Sequence, residues 1–117
     1  MKLQVICITA GLLCASHTNA LSIEKTREAY TQGGDGRLTT EVYLAGMAQG
    51  FMWANAELDS RETPRIFCPP PKLPLSGSTV YQLSINYVDE NKGWLDEELP
   101  MGFATLQALL EAFPCDQ

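Results

Sequence analysis

The run "TEVYLAGMAQGFMWANAELD", residues 40–59, decides the fold. Tyr43, Met47, Phe51, Ala54 and Leu58 recur at spacings of three and four, the signature of an amphipathic helix. Thr39 or Thr40 is placed to cap it, and Glu41 sits where the positive end of the helix dipole favours an anion. Gly46, Gly50 and Ala54 form a second stripe. Each glycine costs a helix about 1 kcal/mol relative to alanine, so the close approach of another helix is expected to compensate. That helix belongs either to the same chain or to a second copy. Asn55, beside Trp53, is expected to be a hydrogen-bonded structural residue, with a binding role as the alternative.

On the N-terminal side, residues 22–32 read as a short helix capped by Ser22, with Ile23 and Tyr30 facing inward. "GGDG" at 33–36 is expected as a loop. On the C-terminal side, residues 60–75, "SRETPRIFCPPPKLPL", hold five prolines, which cannot continue a helix and suit an extended path. A plain linker or an SH3-type ligand is the bland reading. A rigid strap held to the core by Ile66, Phe67 and Leu73 is preferred. The next helix spans 78–91, capped by Ser76 or Ser78, with Val80, Leu83, Tyr87 and Val88 on its apolar face. "DENKGWLDEELP" at 89–100 is a loop. Pro100 suits the first turn of a last helix lined by Leu99, Phe103, Leu106, Leu110 and Phe113 and stopped by Pro114. Sheet signals are few, so the expectation is an all-α small bundle of about four helices.

Residues 1–20, "MKLQVICITAGLLCASHTNA", read as a secretory signal peptide. Lys2 gives the positive start, Leu3 to Ala15 is largely apolar, and Thr18-Asn19-Ala20 sets small residues for cleavage after Ala20. The apolar run, at roughly 13 residues, is short for a membrane span. A lipoprotein reading of Cys14 is disfavoured by Leu13, where a small residue is normal. The expected mature domain, 21–117, is marginal for a core without a staple. It carries seven basic and fourteen acidic residues, a net charge of −7. Such a chain repels nucleic acid and anionic lipid and attracts a basic partner.

Export also removes chemistry. Cys7, Cys14 and His17 leave with the leader, so no histidine remains and neither a Ser–His nor a Cys–His dyad can form. Two cysteines cannot fill a tetrahedral zinc site. Neither a metal nor a cofactor is expected. Cys68 and Cys115 are expected to pair in a disulfide, as small exported domains favour. In the chain-entropy picture this closure contributes roughly 4 kcal/mol.

"YLAGMAQGFMWAN", "FCPP", "YQLSINYV" and "LQALLEAFPC" together resemble the Rap/Tai family of type VI secretion immunity proteins, over nearly all of residues 40–115. The most specific elements are Phe67-Cys68-Pro69-Pro70 and Phe113-Pro114-Cys115. Two departures stand out. Relatives carry a further cysteine where this chain has Glu41 to Tyr43, and a proline dipeptide where it has Asn91-Lys92. The resemblance implies a small periplasmic helical protein that binds and inhibits a peptidoglycan amidase injected by a neighbouring cell, and that acts as a homodimer. The alternative is a small periplasmic binding or chaperone module.

The partner surface is expected at residues 89–98. Asp89, Glu90, Asp96, Glu97 and Glu98 surround Trp94 and Leu95, opposed only by Lys92. An exposed tryptophan is a favoured interface anchor, and flanking charge speeds encounter with a basic groove. The bland reading is a solvated loop with Trp94 folded back onto the core. The connector at 59–66, with Arg61 and Arg65, is the other candidate surface. Adjacent carboxylates such as Glu97 and Glu98 suit a solvated turn better than acid–base catalysis, so an enzyme is not expected.

Overall fold

The computed structural model describes residues 21–116; the expected signal peptide and the residues preceding its cleavage site lie outside the described residues. Among the described residues four helices follow one another: α1 (Ile23–Gln32), α2 (Gly34–Ser60), α3 (Gly77–Glu90) and α4 (Met101–Ala112). The fold is all-α, and a disulfide joins Cys68 to Cys115. Central α3 packs on α2 and on α4, and α1 packs on α2. Among the described residues, no helix is long and apolar enough to cross a membrane.

α1 starts as its sequence predicts. The Ser22 hydroxyl accepts from the Lys25 amide at 3.2 Å, satisfying one of the orphan donors of the first turn. Ile23 is wholly buried, and the Tyr30 ring stacks on Tyr81 of α3 with centroids 3.5 Å apart.

The "GGDG" loop is not observed. Only Gly33 lies outside a helix, and α2 begins six residues before the expected start, at Gly34. Gly33 and Gly34 have φ of 73° and 52°, the left-handed region that glycine enters without a Cβ penalty, so the chain reverses almost at once. Gly36 serves a different end. A Cβ there would lie 2.6 Å from the Ala29 carbonyl oxygen, so its bare backbone lets α1 and α2 touch. With the helix extended, Thr40 is interior rather than a cap. It is buried, and its hydroxyl donates to the Gly36 carbonyl at 2.8 Å.

The inward face of α2 is also rotated from the expected one. Thr40, Leu44, Ala48 and Asn55 are buried, whereas Tyr43 and Ala54 are exposed and Met47, Phe51 and Leu58 are half-buried. The run Val42–Ala56 contains no charged residue, so apolar spacing alone offers several faces. Gly46 and Gly50 have nothing near a would-be Cβ, which removes the intrachain explanation for their stripe. The close approach is made instead at Gly77, where a Cβ would overlap the Glu41 carbonyl.

α3 is capped by Ser76, whose hydroxyl accepts from the Thr79 amide at 3.3 Å. Val80, Tyr81, Ser84, Ile85, Tyr87 and Val88 face inward, and Leu83 is half-buried. In α4, Pro100 is the N-cap residue, one position before the expected first turn. Its buried face is Met101, Ala104, Thr105, Ala108 and Leu109, rather than the expected line of larger residues. Leu99 and Phe103 are exposed and Leu106, Leu110 and Phe113 half-buried. Ala104, Thr105 and Ala108 lie between the wholly buried Met101 and Leu109, and α3 and α4 meet there through a buried hydrogen bond, the Ser84 and Thr105 hydroxyls lying 2.9 Å apart. Bulk at that contact would force the helices apart.

The proline segment is a strap, anchored differently from expectation. Phe67 is fully buried, but Ile66 and Leu73 are exposed. The work of Ile66 and Leu73 is done by Asn55. Its Nδ2 donates to the Phe67 carbonyl at 2.7 Å and its Oδ1 accepts from the Ile66 amide at 3.0 Å. One residue on, the Cys68 amide donates to the Phe113 carbonyl at 2.7 Å, and Cys68 is bonded to Cys115.

Candidate functional site

The loop from Asn91 to Pro100 is short, acidic and tied down at both ends. Asn91 forms the turn. Its side-chain amide donates to the Tyr87 carbonyl at 2.8 Å, and its Oδ1 accepts from the Trp94 indole N–H at 3.0 Å. Trp94 therefore has its one polar group satisfied locally while 62% of the residue stays in solvent. It does not fold back onto the core. Leu95, the next residue, does. It is 6% exposed and belongs to the main apolar cluster. Leu95 is thus the peg that seats the loop. The change of side follows from the tight turn, in which the Asn91 carbonyl accepts from both the Trp94 and Leu95 amides.

The far end of the loop runs beside the start of α1. Glu24 N–H donates to Glu97 O and Ile23 N–H to Leu99 O, each at 3.0 Å, and Met101 N–H donates to Leu21 O at 2.8 Å. The Arg27 side chain completes the tie. Its Nη2 lies 2.9 Å from Glu97 Oε1 and 3.1 Å from Asp89 Oδ1, and Lys92 Nζ adds a contact to Asp89 at 3.3 Å. Partial burial pushes the Asp89 carboxyl upward, but hydrogen bonds and charge from Arg27 and Lys92 outweigh it and hold it below the usual carboxylate range. Burial works against the Arg27 cation as well, and its two carboxylates reverse that, leaving it raised. Arg27 Nε is shielded and unpartnered among the described residues.

The seven expected contact residues therefore divide by role. Asp89 and Glu97 hold the loop to α1, and Leu95 fills the core. Asp96 accepts from the Glu98 amide at 2.9 Å, fixing the bend. Glu90, Trp94 and Glu98 project without an ion pair among the described residues. Arg27 and Asn91 were not among the expected site residues. In a chain with few cations, a dense acidic loop must recruit one, and Arg27 on the adjacent helix is the one it recruits. The other candidate surface is largely self-paired. Arg61 bonds Glu57 at 2.6 Å, and Arg65 lies 3.9 Å from Asp59.

A second unpartnered surface lies along α2. Leu38, Val42 and Trp53 are exposed, Trp53 at 71%, and Gly46 and Gly50 open between them. Where α2 meets the end of the strap, Gln49, Met52, Trp53, Leu73 and Leu75 line a shallow groove of about 400 Å³.

Among the described residues these features define a class: a disulfide-clipped four-helix domain that presents a tied-down acidic loop and an uncharged stretch of helix face. No family model, curated protein or solved structure matches the chain.

Proposed function

We propose that this chain is a periplasmic immunity protein that binds and inhibits a cell-wall amidase delivered by type VI secretion. The observation that carries the proposal is the loop. It is fixed by Leu95, Asn91 and Arg27, yet presents Trp94 to solvent in an acidic segment where Glu90 and Glu98 have no ion pair among the described residues. A preorganised aromatic anchor loses little entropy on binding, and the surrounding negative charge draws a basic cleft. The resemblance in "FCPP" and "AFPC" supports the same assignment, as does a disulfide of the kind kept in oxidising compartments. In this proposal the chain inhibits by occupation and does no chemistry of its own. Cells directing a candidate amidase to the periplasm should survive with the wild-type chain and lyse without it. Trp94→Ala should weaken the complex by about 2 kcal/mol or more while leaving the fold intact. Lysis unaffected by the chain, across amidases encoded beside it, would sink the proposal.

The homodimer belongs to the same proposal. The uncharged outer face of α2 supports it, because two copies could meet there without opposing like charges. The second functional reading, a small periplasmic binding or chaperone protein, is favoured by one feature, the apolar groove of Met52, Trp53, Leu73 and Leu75. Suppression of the aggregation of unfolded substrates by the purified protein would favour it.

A further inference from the structure

The α3–α4 junction carries a groove apart from the Trp94 turn. Its volume is about 260 Å³. That is below the usual range for enclosing a whole small ligand, about 300–1,000 Å³, and suits one or two side chains. Leu83, Tyr87 and Ala108 supply its apolar part, and Glu90 and Glu111 stand in its lining. Neither carboxylate is in an ion pair among the described residues.

We propose that this groove docks a lysine- or arginine-bearing apolar segment of a protein partner, with an aliphatic side chain on Leu83, Tyr87 and Ala108 and its cation met by Glu90 and Glu111. Charge selects the occupant. Two carboxylates beside an apolar floor repel nucleic acid, anionic lipid and acidic peptides. A second copy would bring the same carboxylates against its own in a two-fold contact. A metal ion is poorly served, since among the described residues no three acidic, histidine or cysteine side chains come together as a ligand set. The groove is also joined to the loop. Tyr87, which lines it, accepts through its carbonyl the Asn91 amide, and Asn91 holds the Trp94 indole. The groove thus borders the surface assigned above to the amidase, with which it shares Glu90. The proposal rests on that assignment only for the identity of the partner.

The test uses a short peptide alternating leucine and lysine, its leucine–glutamate counterpart, and the folded protein observed by NMR. The lysine peptide should shift the signals of Leu83, Tyr87 and Ala108, and the glutamate peptide should not. Glu90→Gln with Glu111→Gln should weaken binding about fivefold, as expected for two exposed ion pairs. Ala112→Phe, which fills the groove from its exposed side, should abolish it. A control neutralising Glu28 and Glu62, remote in sequence from the groove, should leave affinity nearly unchanged. Equal weakening by that control would overturn the proposal, and so would peptide shifts confined to other surfaces or equal binding of the two peptides. The titration needs no amidase. Failure of the protection experiment leaves the groove standing, and failure of the titration leaves the Trp94 assignment standing.

Discussion

Asn55 shows how one polar side chain can anchor a segment that has no regular structure. It is 3% exposed and bonds both the Ile66 amide and the Phe67 carbonyl. Its replacement by alanine or leucine leaves two backbone groups of the strap without partners, at a cost of about 2 kcal/mol. In a domain of this size that is roughly a 10 °C fall in Tm, to be read by calorimetry; an unchanged Tm would show that the strap is held by something else. The Arg27 cluster gives a pH dependence of definite sign. Asp89 has a native pKa below its unfolded value, so its pairing contributes stability above about pH 4 and loses it as pH falls through the native pKa. Asp89→Asn should therefore be less stable than wild type at neutral pH, and the two melting curves should converge in acid. Parallel curves down to acid pH would exclude Asp89 as a source of the acid limb. Some residues announced these roles in the sequence. Cys68, Cys115, Ser22 and Ser76 are types with few uses at their positions. Leu95 did not, because in "GWLDEEL" either Trp94 or Leu95 could be the inward residue until the Asn91 turn points Leu95 to the core. Nor did the glycines: Gly36 and Gly77 meet backbone while Gly46 and Gly50 meet nothing, and in sequence they are indistinguishable.

At the scale of elements, the number and order of the helices were legible, and the orientation of two of them was not. α2 is apolar on several faces, so its period marks a helix without choosing the side. α4 buries Met101 and Leu109 together with two alanines and a threonine and leaves Phe103 outside, and a shared hydroxyl pair joins α3 and α4 at the small residues. The strap was legible in its prolines and its cysteine, yet its chief anchor came from Asn55, on a helix that ends six residues before Ile66. The disulfide and the Asn55 clamp hold neighbouring residues of one segment and are chemically independent. Replacing Cys68 or Cys115 by serine should cost about 4 kcal/mol through the longer loop of the unfolded chain. Hydrogen exchange at the Ile66 amide should nonetheless stay slow in the variant under native conditions. Exchange as fast as in the unfolded chain would mean that the disulfide alone holds the strap.

At the scale of the molecule, two outward faces differ in kind. The loop face is acidic and suits a basic partner. The α2 face, from Leu38 past Val42 and Gly46 to Trp53, is apolar with an uncharged middle. Exposed apolar residues scattered singly need no explanation, but a continuous face along one helix does. A second copy fits it on two grounds. The chain is strongly acidic, so copies repel elsewhere but meet no like charge along Val42–Ala56. Gly46 and Gly50, open at their Cβ positions, would let two α2 helices approach closely near the middle of that run. A two-fold contact there uses the same patch on both molecules. Sedimentation at micromolar concentration should therefore give twice the chain mass, falling to the single mass on dilution. Val42→Glu with Gly50→Glu doubles its effect by symmetry and should hold the protein monomeric at every concentration. Both sites are exposed, so the melting transition of the monomer should survive the change. The loop surface is separate, so the monomeric variant should still bind a partner through Trp94. A wild-type protein that is monomeric throughout this concentration range would remove the self-association reading of the α2 face.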